Sequence, residues 1–138
     1  MVDLTRFIEA QAGVYDQALA ELHRGRKQSH WMWFVFPQIA GLGTSPTARL
    51  YAIASADEAR AYLAHALLGP RLRACTAAIL AHRARGAEAI LGAVDAMKLR
   101  SSMTLFEAVA DDPAPFTEAL AAFHDGERDA ATLRLLGR

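Results

Sequence analysis

The spacing of apolar residues constrains this chain more than any other feature of its sequence. Leucine, alanine and aromatic residues recur every three or four positions, as on one face of a helix, and no segment shows the alternation of a half-buried strand. Three such stripes stand out: Leu4, Phe7, Ile8, Val14, Ala18, Leu19 and Leu22; Leu72, Cys75, Thr76 and Ile79; and Leu99, Met103 and Phe106. We therefore predict an all-α fold, a compact multihelical single domain over residues 1–138 with about six to eight short helices.

Residues that favour helix ends separate these stripes. Serine, threonine and aspartate accept hydrogen bonds from the first N–H groups of a helix, and glycine adopts the left-handed conformation that often ends one. The predicted N-caps are Asp3 or Thr5, Ser29, Ser45 (followed by Pro46), Ser55 (in a capping box with Glu58) and Asp95, and the predicted helix ends are Gly25 and Gly69.

Residues 31–36, WMWFVF, form the most apolar run of the chain. The composition of the run allows a buried strand, but Ser29 before it and Pro37 after it favour a short helix, because proline forces Phe36 out of the helical region. A helix that is apolar on every side must be surrounded by protein or present one face to a cavity.

Charge and cysteine content narrow the class of protein. The 138 residues contain 15 basic and 15 acidic side chains, so the chain lacks the positive field on which non-specific nucleic-acid binding depends. The lone cysteine, Cys75, fits a reducing compartment, no apolar run approaches the roughly 20 residues that span a bilayer, and the first ten residues do not resemble a signal peptide. We expect a cytoplasmic protein with neither nucleic-acid nor membrane partners.

Familiar metal-binding and nucleophile motifs are absent from the sequence. The five histidines form no HxxxH or HExxH pair, Cys75 has no CxxC partner, and there is no GxSxG elbow. Cys75 and His82 share a helix face but lie two turns apart, too far for a hydrogen bond. We therefore expect Cys75 to be a core residue, and we expect neither a metal nor another cofactor.

A glycine-rich loop provides the first candidate site. Gly41 and Gly43 precede a predicted helix start, where converging N–H groups and the helix dipole favour an anion. Ser45 adds a hydroxyl group and Arg49 lies one turn into the helix. The loop matches neither the Walker motif nor the dinucleotide fingerprint, and a plain connection that needs glycine for its turn is the alternative.

The residues before this loop extend the candidate site. Trp31 and Trp33 fit a core, but a tryptophan often keeps an edge near water because its indole N–H needs a partner, and such an edge would suit a nucleotide base or a similar planar group. Gln38 lies between the aromatic run and the loop. His30 is either a hydrogen-bonded structural histidine or a catalytic acid or base.

A distant segment, DAMKLRSSMTLFEAV, adds a cation to these candidates. Ser101 and Ser102 are poor mid-helix residues, because their hydroxyl groups compete for backbone partners. Lys98 and Arg100 point about 200° apart on an ideal helix, so both cannot meet one ligand. We select Lys98 as a catalytic or charge-neutralising residue and Ser102, one turn away, as a ligand-binding residue.

The motifs SHWMWFVFPQIAGLG, YDQALAELHRGRKQSHW and KLRSSMTLFEAVA resemble the bacterial family known as domain of unknown function 1810. The resemblance extends from DLTRFIEAQ to ATLRLLG and implies a compact, mostly helical domain. It implies no activity and no catalytic residue. Members are sometimes mislabelled calpastatin, an inhibitor with disordered repeats that this alanine-rich chain does not match.

Two functions follow from these observations, and the sequence leaves open whether the protein is an enzyme. The first is binding of an anionic or nucleotide-like small molecule at the glycine loop, with hydrolysis of a phosphoester or glycosidic bond as the reaction to test first. The second is a protein–protein interaction or regulatory module without catalytic activity. In that case the aromatic run and the basic HRGRK loop would form a partner surface or a homodimer interface.

Overall fold

The computed structural model describes residues 2–138, which form ten α-helices, one 3-10 helix and an isolated β-bridge. The predicted all-α class is confirmed: six helices have seven or more residues and four are shorter. In chain order the α-helices are α1 Thr5–Gln11, α2 Tyr15–Arg24, α3 Met32–Val35, α4 Pro46–Leu50, α5 Ala56–Ala64, α6 Leu68–Leu80, α7 Ala87–Leu91, α8 Ala93–Val109, α9 Ala114–His124 and α10 Ala130–Leu135, and the 3-10 helix Arg83–Arg85 lies between α6 and α7.

The first apolar stripe, predicted to form one helix, forms two. α1 ends at Gln11, and Gly13 adopts a φ of 76° before α2 begins. The left-handed conformation at Gly13 turns the chain and divides the stripe between the two helices. The predicted end at Gly25 is confirmed, with a φ of 74°. The predicted cap at Asp3 or Thr5 is wrong, because Leu4 is the N-cap and Thr5 is the first helical residue. The Asp3 carboxylate still accepts a hydrogen bond from the Thr5 N–H.

Two of the predicted serine caps are confirmed, and two other predicted caps are wrong. The side chains of Ser45 and Ser55 each accept a backbone hydrogen bond at the start of α4 and α5. Ser29 lies outside α3, and its hydroxyl group bonds to another helix. Asp95 lies inside the first turn of α8, because Gly92 with a φ of 88° already starts that helix.

Gly69, predicted to end a helix, lies in the first turn of α6. The preceding helix already ends at Ala64. A Cβ atom at position 69 would lie 2.1 Å from the carbonyl oxygen of Leu63, so glycine is required here by the close approach of two backbones.

The aromatic run and α8 contribute many of the buried side chains. The four central residues of WMWFVF form α3, and Met32, Phe34 and Val35 of this helix are buried. α8 packs against α5, α7, α9 and α10, with its predicted stripe fully buried: Leu99, Met103 and Phe106. These side chains belong to an apolar core to which α1, α2, α5, α6, α7 and α9 also contribute.

The connection between α3 and α4 is held by a backbone bridge. The Ala40 N–H donates to the Ile53 carbonyl and the Ile53 N–H donates to the Gln38 carbonyl, each over 2.8 Å. This bridge fixes one end of the glycine loop to the segment that follows α4.

Arg6 fixes the far end of α4. Its guanidinium group donates to the carbonyl oxygens of Leu50 (2.9 Å) and Ala52 (2.8 Å) and pairs with the carboxylate of Glu58. The last carbonyls of a helix lack partners within the helix, so a planar guanidinium group is well suited to bind them.

None of the helices in residues 2–138 is long and apolar enough to cross a membrane.

Candidate functional site

A buried carboxylate holds the segment that leads into the aromatic helix. Glu21 of α2 accepts hydrogen bonds from the N–H groups of Gln28 (2.7 Å) and Ser29 (2.9 Å), the Ser29 hydroxyl (2.6 Å) and the Trp31 indole N–H (3.0 Å). Burial alone would raise the pKa of this carboxyl group, but the hydrogen bonds outweigh burial and lower the pKa to about 2. The indole N–H of Trp31 is therefore satisfied inside the protein.

Both lysines of the chain meet at one carboxylate group. The Nζ atom of Lys27 lies 3.0 Å from Oδ2 of Asp95, and the Nζ atom of Lys98 lies 3.5 Å from Oδ1. The Lys27 ammonium group also lies 5.1 Å from the ring centroid of Trp31, and the Lys98 ammonium group lies 4.6 Å from that of Trp33. The two lysines of the sequence thus connect Asp95 to its two tryptophans, and we call these five residues the lysine–tryptophan cluster.

The charges in and around the lysine–tryptophan cluster balance. Two ammonium groups face the Asp95 carboxylate, and the Glu21 carboxylate accepts the indole N–H of Trp31. Cation–π contacts stabilise the ammonium groups without neutralising them. The side chain of Lys27 is 9% exposed and that of Lys98 is 22% exposed. Lys98 is therefore the more exposed of the two lysines and the one that a ligand would contact.

Lys98 lines an open groove between loop 38–43 and one face of α8. The groove has a volume of about 350 Å³, within the range of small-molecule sites. We call it the α8 groove, and its lining residues are Gln38, Leu42, Gly43, Val94, Met97, Lys98, Ser101 and Asp129.

One part of the α8 groove is apolar and open to solvent. Val94 is 69% exposed and Met97 is 70% exposed, and Leu42 lines the groove with them. Exposed apolar side chains that lie together in a groove are typical of binding surfaces.

Another part of the α8 groove is polar. The Ser101 hydroxyl donates to Oδ2 of Asp129 over 3.0 Å, and the same carboxylate caps α10 by accepting from Thr132. The Asp129 N–H donates to the Thr104 hydroxyl oxygen, which fixes the start of α10 against α8. The groove therefore presents an ammonium group, a hydroxyl group, a carboxylate and an apolar surface.

Close packing accounts for both glycines of the loop. A Cβ atom at Gly43 would lie 2.5 Å from the Cβ atom of Ala48. Gly41 has a φ of 105°, and a Cβ atom there would lie 3.1 Å from the side chain of Leu135. Both positions thus need glycine for reasons that involve no ligand, as expected of a plain connection.

The structure brings four of the predicted site residues together. Gln38, Gly43 and Lys98 line the α8 groove, and Trp33, which is half-buried, lies beneath Lys98. Trp33, Gln38 and Gly43 also line a neighbouring cleft of about 10 Å³, which is enough for about one water molecule.

Other predicted site residues lie elsewhere. Trp31 and Ser102 are fully buried, and the Ser102 Oγ atom has no hydrogen-bond partner among the described residues. Ser101 lines the groove, whereas Ser102, the next residue along α8, points toward the core. Arg100 also points away from the groove and donates to the carbonyls of Glu127 and Arg128.

The remaining predicted residues are exposed and outside the groove lining. These residues are His30, Gly41, Ser45 and Arg49. The Ser45 side-chain oxygen accepts the N–H of Ala48 as a helix cap, over 3.1 Å. The glycine loop and α8 therefore meet in the groove through Gly43 and Lys98. The Ser45 hydroxyl and the Arg49 guanidinium group do not line it.

Sequence reasoning missed the apolar face of α8 and the role of Asp95. A second set of residues recurs at helical spacing on a different side of α8 from the buried stripe: Val94, Met97 or Lys98, and Ser101. Apolar residues outside the buried stripe are the signal that would have indicated an exposed apolar face. The i, i+3 spacing of Asp95 and Lys98 would likewise have indicated their ion pair.

Metal chemistry and thiol chemistry find no support in residues 2–138. No group of three or more histidine, cysteine, aspartate or glutamate side chains there could hold a metal ion. Burial raises the pKa of the Cys75 thiol to about 12, so the thiolate needed for nucleophilic attack is disfavoured.

Comparison with known proteins identifies relatives of unassigned function. The family described as "Protein of unknown function (DUF1810)" matches residues 1–136. The crystal structure of the conserved hypothetical protein Rv1873 from Mycobacterium tuberculosis is similar to this chain, with 50% sequence identity and a TM-score of 0.96. The similarity covers 99% of this chain and 97% of that protein. No curated protein matches the chain.

Proposed function

We propose that this chain, which belongs to the DUF1810 family, binds a small molecule in the α8 groove through an anionic group attached to an apolar or planar body. The observation that carries the proposal is the partly exposed ammonium group of Lys98 beside the apolar wall of the groove. An anionic group would meet this ammonium group at a half-buried position, where electrostatic attraction is stronger than in bulk water. The Asp129 carboxylate in the same groove would oppose it.

The choice of lysine at these two positions supports the proposal. Thirteen of the fifteen basic residues are arginine, and the two lysines are Lys27 and Lys98. An ammonium group is a compact charge with three donors on a flexible stem, whereas a guanidinium group is a flat fork. Lys98 can therefore contact Asp95 and Trp33 and still direct an N–H toward a ligand.

The apolar wall of the groove supports the second half of the ligand description. Val94, Met97 and Leu42 would cover an aliphatic or aromatic body beside the Lys98 charge. Methionine is flexible and polarisable, and it contacts aromatic rings favourably. A nucleotide-like or aromatic anion meets these requirements better than an inorganic ion does.

Binding without turnover is the function that the geometry supports best. His30, the predicted acid or base, is exposed and does not line the groove. The Ser101 hydroxyl donates to the Met97 carbonyl within α8 and to Asp129 at the start of α10. A hydrolase reaction at this site would need a base positioned at the reacting atom. Hydrolysis assayed in His30→Ala tests whether His30 is that base.

A thermal-shift screen tests the binding proposal. Nucleoside monophosphates, ADP-ribose-like compounds, sugar phosphates and aromatic carboxylates are the probes. A ligand present at 100 times its Kd adds about 2.7 kcal/mol of stability. We expect a monoanion with a planar body to stabilise the wild type, and the shift to disappear in Lys98→Gln but persist in the exposed control Arg85→Gln. A screen in which no anion shifts the melting temperature would contradict the proposal.

A protein–protein interaction is the second candidate function, and the exposure of Val94 and Met97 favours it. These side chains would be covered in a homodimer or in a complex with another protein. Sedimentation velocity over a hundredfold range of concentration tests the homodimer. A concentration-dependent dimer that Met97→Glu abolishes would support this function, and a monomer at every concentration would remove the homodimer.

A further inference from the structure

A second cleft lies at the other end of α8, on residues that the proposed function does not use. It has a volume of about 260 Å³ and is bounded by α5, α6 and the end of α8. Leu63, Ala64, Val109 and Ala110 form its apolar surface, and Arg60 and Arg73 contribute guanidinium groups from two different helices. Lys98 and Val109 are eleven residues apart on α8, which corresponds to roughly 16 Å along the helix axis.

Arg73 is held in place in this cleft, without a carboxylate partner. Its guanidinium carbon lies 5.2 Å from the ring centroid of Phe116, and one N–H donates to the Asp112 carbonyl over 3.2 Å. Among residues 2–138 no carboxylate lies within ion-pair distance of Arg73. The charge is therefore positioned by an aromatic ring and a backbone carbonyl, and it keeps N–H donors free for another partner.

Arg60 adds a second, more mobile guanidinium group. Its ion pair with Asp57 is exposed, with side chains 50% and 89% accessible, and such pairs contribute little and exchange readily. Asp111 is the acidic residue of the cleft lining. The two guanidinium groups and the carboxylates of Asp57 and Asp111 balance in charge, so the cleft offers free N–H donors and not an excess charge.

We propose that this cleft, which we call the arginine cleft, binds the oxyanion group of a small molecule, either a phosphate or a carboxylate, independently of the α8 groove. Guanidinium groups match the geometry of both oxyanions through paired N–H donors, and two of them on different helices can hold one oxyanion from two sides. The apolar surface beside them would accommodate a short aliphatic segment. The carboxylate of Asp111 repels the same oxyanion and limits its affinity.

NMR of the arginine side chains tests this proposal directly. The ¹⁵N-labelled full chain is titrated with inorganic phosphate and, separately, with butyrate at constant ionic strength. The Nε–H signals of Arg60 and Arg73 are assigned by their loss in Arg60→Gln and Arg73→Gln, and Arg85 is assigned in the same way as an exposed reference. We expect the signals of Arg60 and Arg73 to shift and saturate together, while that of Arg85 shifts weakly and without saturation.

The two titrations distinguish the sources of the oxyanion. Saturation by phosphate alone identifies a phosphorylated ligand, and saturation by butyrate alone identifies a carboxylate with an aliphatic segment. If neither compound saturates the two signals, or if Arg85 responds equally, the arginine cleft is not an oxyanion site.

Variants at the cleft provide the second test. We expect Arg60→Gln, which disturbs only an exposed pair, to raise the Kd roughly tenfold, because a hydrogen bond to a charged group is lost. Arg73→Gln should raise it at least as much, with Arg73→Lys as the variant that keeps the charge. Asp111→Asn should lower the Kd, since it removes the opposing charge.

Unchanged affinity in both Arg60→Gln and Asp111→Asn would overturn the proposal even if Arg73→Gln does not fold. Retention of oxyanion binding in Lys98→Gln separates this site from the α8 groove.

Discussion

The ammonium group of Lys98 lies 4.6 Å from the ring centroid of Trp33, so the N-terminal part of α8 contacts the aromatic helix α3. The same ammonium group pairs with Asp95, which also pairs with Lys27. The aromatic run is thus buried on one side of α3 and contacts a charged cluster on the other. This arrangement explains why Trp33 is half-buried while its neighbours in α3 are buried.

Glu21 should be a major determinant of stability. Glu21→Ala would leave the indole N–H of Trp31 and the N–H groups of Gln28 and Ser29 without partners, and we expect a loss of about 3 kcal/mol in the free energy of unfolding. Glu21→Gln keeps one acceptor oxygen and should cost about 1 kcal/mol. Urea denaturation followed by tryptophan fluorescence measures both variants. The exposed control Glu9→Ala should change the free energy by less than about 0.5 kcal/mol, and an equally small effect of Glu21→Ala would contradict the assigned role.

Acid should destabilise the fold through the same carboxyl group. The pKa of Glu21 is lowered to about 2 in the folded protein from an ordinary value of 4.5. Because the folded pKa is the lower one, the stabilisation is fully present above pH 4.5 and is lost as the pH falls toward 2. Denaturant midpoints of the wild type and Glu21→Gln should therefore converge between pH 4.5 and pH 2.5. Parallel curves for the two proteins over this range would rule out the effect.

His124 should make stability depend on pH in a higher range. Burial, together with the nearby charge of Arg100, lowers the pKa of His124, and its buried Nε2 atom has no hydrogen-bond partner within residues 2–138. The folded state thus disfavours the protonated ring, so stability is fully present above pH 6.5 and falls as the pH drops below the ordinary pKa of 6.5. Melting temperatures at pH 7.5 and pH 5.5 test this, with His124→Gln as the comparison. We expect a smaller pH-dependent change in the variant, and an identical change in both would show that other groups cause it.

Two glycines should differ strongly in their tolerance of alanine. Gly69→Ala places a Cβ atom 2.1 Å from the Leu63 carbonyl oxygen and would push α5 and α6 apart, so we expect a loss of at least about 3 kcal/mol. Gly13→Ala meets no atom within 4 Å and should cost about 1 kcal/mol, through its left-handed φ alone. Thermal unfolding of both variants measures the difference, and equal losses would show that the contact at Gly69 relaxes freely.

Helical spacing was sufficient to predict the class of fold and the buried stripe of α8, because burial of an apolar face determines both. The break at Gly13 was missed because a glycine inside a helical pattern does not reveal the sign of its φ. Gly69 was misread for a related reason, since a close contact between backbones depends on a segment outside the local pattern. Local sequence carries propensity and periodicity, whereas these positions are fixed by tertiary packing.

The candidate site could likewise be predicted only in part from local sequence. Lys98 was selected over Arg100 from the angle between them on an ideal helix, and the structure places Lys98 in the groove and Arg100 against the chain before α10. The one-turn spacing from Lys98 predicts Ser102 as its partner, but the structure turns Ser102 into the core. The pairing of Lys27 with Asp95 joins distant segments of the chain, and no spacing in the sequence specifies it.

The most direct test of the α8 groove is to observe its lysine while an anion binds. Because the sequence contains two lysines, reductive methylation with ¹³C-formaldehyde labels Lys27, Lys98 and the α-amino group while keeping their positive charge. Lys98→Gln assigns the Lys98 signal, and benzoate serves as a planar monoanion. We predict that the Lys98 signal shifts and saturates with benzoate while the signals of Lys27 and the α-amino group shift less. A Lys98 signal that does not respond, or that responds no more than the α-amino group, would contradict the assignment of the groove as an anion-binding site.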